Sequence, residues 1–350
     1  SGFTVSLSSD GDTVAIGALF NDGNGNYAGH VRIYEYSSGS WTQLGADIDG
    51  EAADDRGAVV SLSSDGTRVA IGAAGNDGNG NYAGHVRIYE YSSGSWTQLG
   101  ADIDGEATGD QSGGVVSLSS DGTRVAIGAA FNDGNGYGAG HVRIYEYSSG
   151  SWTQLGADID GEAGGDNSRY VSLSSDGTRV AIGALYNDGN GNNAGHVRIY
   201  EYSSGSWTQL GADIDGEAAD DNSGAAVSLS SDGTRVAIGA TGNDGNGNNA
   251  GHVRIYEYSS GSWTQLGADI DGEAAGDKSG GVVSLSSDGT RVAIGALYND
   301  GNGYDAGHVR IYEYSSGSWT QLGADIDGEA ANDASGSSVS LSSDGTTVAI

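Results

Sequence analysis

The sequence predicts an all-β fold, a β-propeller of tandem four-stranded antiparallel blades, and three observations predict it. Six tryptophans, Trp41, Trp96, Trp152, Trp207, Trp263 and Trp319, recur 55 or 56 residues apart, each inside the phrase Ser-Gly-Ser-Trp-Thr-Gln-Leu-Gly. Every repeat carries four short strand signals divided by Gly-, Asn- and Asp-rich turns. No stretch shows helical periodicity. Residues 1–350 therefore read as a single tandem-repeat domain, expected to be a segment of a longer array.

Residues 57–111 serve as the type repeat. Val59-Val60-Ser61-Leu62-Ser63 is the first strand, with Val60 and Leu62 on one face, and Ser64-Asp65-Gly66-Thr67 is the hairpin turn after it. Arg68–Ala73 is the second strand, where small Ala70 and Gly72 share a face and permit close approach of a neighbouring sheet. Asn76–Asn81 reads as a loop. His85–Tyr91 alternates as the third strand, and Ser92–Ser95 turns the chain into a fourth through Trp96–Leu99. Ala101–Ala107 then leads into the next repeat.

The chain has 64 Gly and neither Pro, Cys nor Met, so no disulfide braces it and stability must come from stacking the repeats. No run approaches the roughly 20 apolar residues of a membrane-spanning helix. It opens on Ser1-Gly2-Phe3, and any signal peptide is expected outside this segment. A net charge of -33, from 47 acids against 14 bases, repels nucleic acid and anionic membrane and favours cations or basic protein surfaces.

Successive loops of a meander alternate sides. The Ser-Ser-Asp-Gly and Ser-Ser-Gly-Ser turns hardly differ among copies, whereas the loop after strand two and the inter-repeat loop do, which marks their shared face as the candidate binding side. Aromatics on that face, Phe20, Phe131, Tyr186 and Tyr298, are candidate ligand-binding residues.

The run Gly109–Ala129, followed by Gly-His-Val-Arg-Ile-Tyr, resembles the FG-GAP repeats of integrin-α-type β-propellers over nearly the whole chain. Departures are visible: Phe-Gly is replaced by Ser112-Gly113 or Arg56-Gly57, and the Gly-Ala-Pro proline is missing throughout. The family's calcium hairpin is reduced to Ser64-Asp65-Gly66, so its calcium site does not carry over to that turn. The resemblance implies an extracellular or cell-surface, adhesion-like propeller.

The hairpin Ser-Leu-Ser-Ser-Asp-Gly occurs seven times, from Ser6 to Ser340, but the outer strand pair only six times. Seven positions around the ring are favoured over six, with Thr347–Ile350 as an unpaired edge awaiting outer strands from continuing chain or another copy.

Candidate metal ligands lie between repeats, in Asp-Ile-Asp-Gly-Glu-Ala-x-x-Asp. Its acids are Asp47, Asp49, Glu51 and Asp55; Asp102, Asp104, Glu106 and Asp110; Asp158, Asp160, Glu162 and Asp166; Asp213, Asp215, Glu217 and Asp221; Asp269, Asp271, Glu273 and Asp277; and Asp325, Asp327, Glu329 and Asp333. Several oxygens close together on a turning backbone suit calcium, and strand-end capping is the alternative. Each repeat also has one His at the start of strand three, expected to hydrogen-bond to the Asp of the preceding loop. Near-identical modules offer no unique catalytic constellation, so no enzyme activity is expected. The functional expectation is a non-catalytic extracellular structural or adhesive propeller, possible as a fibre or surface array with like copies as partners, with a carbohydrate-binding propeller as the alternative.

Overall fold

The computed structural model describes residues 2–350, and these form strands and turns with no helix. In the type repeat, Val59–Leu62, Arg68–Ala73, His85–Ser92 and Ser95–Gln98 make an antiparallel meander in chain order. The first turn is tied by one carboxylate: Asp65 Oδ1 accepts from Ser63 Oγ at 2.7 Å, Thr67 N at 2.9 Å and Thr67 Oγ1 at 2.7 Å.

Within the Ala101–Ala107 connector, Ile103–Asp104 forms a fifth strand. The third strand is eight residues long, and the fourth covers only its half from Tyr89 to Ser92. The other half pairs instead with the fifth strand, Ile103 opposite Val86 and Asp104 opposite His85, so backbone groups of that half are satisfied. Six such five-stranded sheets follow one another, blades 1 to 6, and a two-stranded sheet of Ser340–Leu341 and Val348–Ala349 follows them.

That last hairpin sits between blade 6 and blade 1 and completes seven positions around the axis. Seven backbone bonds run from serine to serine around the centre, Ser9 to Ser64, Ser120, Ser175, Ser231, Ser287 and Ser343, and Ser343 N donates back to Ser9 O at 2.8 Å. Each junction repeats a second bond: Leu62 N donates to Ser6 Oγ at 3.0 Å, and at the seventh junction Leu7 N donates to Ser340 Oγ at 2.9 Å. The outer edge expected to lack a partner strand does lack one among the described residues. Val348–Ala349 pairs with Ser340–Leu341 in its own hairpin, and only its outer side lacks a strand among the described residues.

The core lies between blades rather than within them. Ala15, Val31, Ile33 and Ile48 of blade 1 meet Val60, Leu62, Val69 and Ile71 of blade 2. Strand two alternates accordingly, Val69 and Ile71 facing backwards and Ala70 forwards onto blade 3. Gly72 sits so close to the next blade that a Cβ there would lie 2.0 Å from Gly113 O. The expected close approach at Ala70 and Gly72 is therefore present.

The tryptophans latch this packing at the rim. Trp96 lies 5.1 Å from Tyr91, centroid to centroid, and its Nε1 donates to Leu44 O of the preceding blade at 2.7 Å. Trp152, Trp207, Trp263 and Trp319 do the same, each at 2.7 Å. Trp41 has no complete blade before it and is 46 % exposed.

Two outcomes follow. Trp207→Phe removes an interblade hydrogen bond and should lower unfolding free energy by about 1–2 kcal/mol, while Trp41→Phe should leave it within about 0.5 kcal/mol, as read from urea denaturation. The turn carboxylates are acid-sensitive. Hydrogen bonds from Thr346 N, Thr346 Oγ1 and Ser342 Oγ hold the Asp344 pKa down to about 2, against an ordinary 3.8. A depressed native pKa contributes stability that is present above the unfolded value and lost as pH falls through the folded one. The Tm advantage of the wild-type chain over Asp344→Asn should be constant above about pH 4 and close towards pH 2.

Candidate functional site

The four acids of each connecting loop do not converge on one another. In the second loop, Asp102 Oδ1 accepts from Gln98 Nε2 at 2.6 Å. Asp104 lends its backbone, its carbonyl accepting from Arg143 Nη2 of the next blade at 2.8 Å. Buried Asp110 caps the loop, taking Ala107 N at 3.0 Å and Asn132 Nδ2 at 3.2 Å. Glu106 crosses to blade 3, with Oε1 3.5 Å from Arg143 Nη1.

What does converge is one Glu from one blade with the His and Asp of the next. Glu51, His85 and Asp102 form the first group, with His85 Nδ1 at 3.8 Å from both Glu51 Oε2 and Asp102 Oδ2. Glu106–His141–Asp158, Glu162–His196–Asp213, Glu217–His252–Asp269 and Glu273–His308–Asp325 repeat it. In each, the ligand-type atoms lie within 4.8 Å of one another. The expected hydrogen bond from His to the loop before it is absent. Asp77 Oδ1 instead takes Tyr82 N at 2.8 Å.

The second oxygen of each carboxylate is already engaged. Arg87 Nη1 stands 3.4 Å from Glu51 Oε1, and Gln98 holds Asp102 Oδ1, so the remaining oxygens face the imidazole. Arg87 is itself anchored by Nη2 on Asp49 O at 2.9 Å. His85 is 1 % exposed. Burial first, and the Arg87 charge second, push its pKa below the ordinary 6.5 against the pull of Asp102 and Glu51. A neutral imidazole with an available lone pair is the result at pH 7.

Blade 1 shows the arrangement without its Glu. There Arg32 Nε donates to Asp47 Oδ2 at 3.0 Å, the oxygen that elsewhere faces the histidine, and His30 Nδ1 is 3.5 Å from the same atom. Glu329 joins no such group among the described residues, and Asp333 caps its loop through Ala330 N at 2.7 Å.

The aromatic candidates sit one to a blade on separate loops, 41–66 % exposed. Phe20 packs edge-on against Tyr27 at 5.5 Å, and Lys278 Nζ lies 5.2 Å over Tyr298. Phe131 and Tyr186 each stand 45 % and 46 % exposed on their own blades.

A further site lies on the axis, where sequence reading placed none. At one end of the central channel Leu7, Leu62, Leu118, Leu173, Leu229, Leu285 and Leu341 form a uniform ring around a cavity of about 140 Å³. At the other end, on the side of the variable loops, the channel opens into an apolar cavity of about 360 Å³ walled by Val59, Val115, Val227, Val282, Phe3 and Tyr170. Three residues earlier than each Leu, the register position facing the strand-two glycine holds Thr4, Val59, Val115, Tyr170, Ala226 and Val282 in the six blades. Arg169 precedes Tyr170, stacks 4.9 Å over its ring and donates from Nη2 to its hydroxyl at 2.9 Å, leaving Nε buried without a partner. The copies' divergence at this one register position was the signal available in the sequence.

No family model matches the chain, and no curated protein matches it, so the FG-GAP assignment is not confirmed. Solved structures do match. A Bacteroides uniformis protein provisionally named a 6-phosphogluconolactonase is 13% identical, with a TM-score of 0.62, over 93% of this chain and 85% of that one. A Bacteroides fragilis protein of the same provisional name is 14% identical, TM-score 0.60, over 93% and 84%. Hydrazine synthase of Kuenenia stuttgartiensis is 15% identical, TM-score 0.58, over 99% and 91%. These matches correct the functional expectation: the three propellers bear the names of enzymes, and the structural or adhesive array and its carbohydrate-binding alternative are set aside. At such identity the likeness establishes the β-propeller fold.

Proposed function

We propose that this propeller binds a small, largely apolar ligand with a hydrogen-bonding end, seated in the mouth of its central channel. One observation carries the reading. A chain of near-identical repeats keeps its Leu ring uniform at one end of the channel, yet fills the wall of the other with Thr4, Val59, Val115, Tyr170, Ala226 and Val282, around an apolar cavity of about 360 Å³. Pockets of that size with few polar groups suit small molecules. Thr4, Tyr170, Ser337 and Ser338 supply the polar groups of the lining, and Arg169, outside the lining, holds the Tyr170 hydroxyl through Nη2.

The lining contains no His, Cys, Asp, Glu or Lys, so binding rather than turnover is what it supports. Descent from an FG-GAP-type repeat, and with it an extracellular setting, belongs to the same proposal; the Gly109–Ala129 motif supports it.

The probe is 8-anilinonaphthalene-1-sulfonate, an apolar fluorophore with a sulfonate. Its fluorescence should rise saturably with one site per chain. Tyr170→Val, which copies Val59 and Val115 into the ring, should weaken binding roughly fivefold to tenfold, the worth of one aromatic contact. Unchanged affinity in both Tyr170→Val and Phe3→Ser would overturn the assignment.

A further inference from the structure

Five clusters outside the axial pocket carry a second, independent inference. We infer that each of the five interblade junctions from blade 1–2 to blade 5–6 is a binding site for one divalent ion of the zinc class. The ligands are Glu Oε2 of one blade with His Nδ1 and Asp Oδ2 of the next.

The first support is spacing. Ligands held about 2.0–2.2 Å from zinc stand roughly 3.3–3.8 Å apart at tetrahedral to trigonal angles. Across the five groups the His Nδ1 distances to the Glu and Asp oxygens run from 3.8 to 4.0 Å, and all three ligand atoms lie within 4.8 Å of one another, a small contraction away from that spacing. These separations are too long for hydrogen bonds and close to those around a shared ion.

The second is the buried imidazole. His308, 1 % exposed, has neither ring nitrogen hydrogen-bonded, and the Nε2 atoms of His85, His141, His196 and His252 are likewise without partners. At His308 the unpaired atoms include Nδ1, the ligand atom itself, and in the other four copies the unpaired Nε2 is the far nitrogen, which carries the ring proton when Nδ1 takes an ion.

The third is the support around the ligands. Gln98 on Asp102 Oδ1 and Arg87 beside Glu51 Oε1 take the outer oxygen of each carboxylate and aim the inner one at the histidine. Outer contacts of this kind orient metal ligands. The charges agree: two carboxylates against one guanidinium leave about one negative charge per junction for the cation. A neutral nitrogen beside two oxygens suits zinc better than calcium, which takes oxygen alone. Glu51 and Asp102 side chains are 44% and 33% exposed, so a fourth position opens to solvent. Blade 1 is the built-in exception, because Arg32 Nε occupies Asp47 Oδ2 and no Glu approaches His30.

The test counts ions on the untagged chain. Equilibrium dialysis against zinc, with bound metal measured by atomic emission, should give five ions per chain, one for each group. His196→Gln, and separately Asp213→Asn, should each bind one fewer while keeping the wild-type β-sheet circular dichroism. Cobalt in place of zinc should give a ligand-field spectrum that falls by about one fifth in either variant. Excess calcium should not displace the metal. No stoichiometric zinc on the wild-type chain, five ions in a folded variant, or ready displacement by calcium would each overturn the inference. Should neither variant fold, the wild-type count decides alone.

Discussion

The structure depends on the distance between neighbouring blades, and that distance is set by glycine and alanine on the forward face of strand two. With Gly72 facing Gly113 O, and Gly183 and Gly239 placed likewise against Gly224 and Gly280, backbones approach closely enough for Val, Ile and Leu of adjacent blades to interlock. No blade has a core of its own. Each contributes a face to two shared cores, so stability is a property of the stack. The rim latch from Trp to the preceding Leu carbonyl, the serine cycle at the centre and the Leu-to-Ser bond between them all require the same separation.

Equal spacing makes the junctions chemically alike. The chain's acidity is not spread evenly over a solvated surface. In the four connecting loops that begin at Asp102, Asp158, Asp213 and Asp269, one carboxylate caps the loop, one backbone carbonyl anchors the arginine of the next blade, and the other two acids enter successive junctions beside a buried histidine. A strand that alternates His85, Arg87 and Tyr89 on one face with Val86 and Ile88 on the other puts imidazole and guanidinium at the same interface, and the guanidinium offsets part of the charge gathered there.

The axis obeys the opposite rule. Around a symmetric centre, identical repeats can only build a symmetric wall, and the Leu end of the channel is such a wall. A shaped cavity needs unlike side chains, and the chain supplies them at the register position that holds Tyr170 in one blade and Ala226 in another. Departure from the repeat therefore has most structural effect at the channel mouth, and least on exposed loop residues such as Phe20 or Tyr186.

The sequence by itself determined the repeat, the four main strands and the tight face of strand two, because hydrophobic alternation, Asp-Gly turns and small residues are local signals. It determined the tyrosine–tryptophan pair at the rim, since Tyr91 and Trp96 flank one short turn. Only tertiary structure decided that Ile103–Asp104 is a strand, for its partner Val86 is free only because the fourth strand stops short. Only tertiary structure sent Glu51 and Asp55, four residues apart, to different ends, one to the histidine of the next blade and one to its own loop. Residues about 34 and 51 positions apart, Glu51 with His85 and Asp102, meet through the turn of the ring, and no local pattern encodes that rotation.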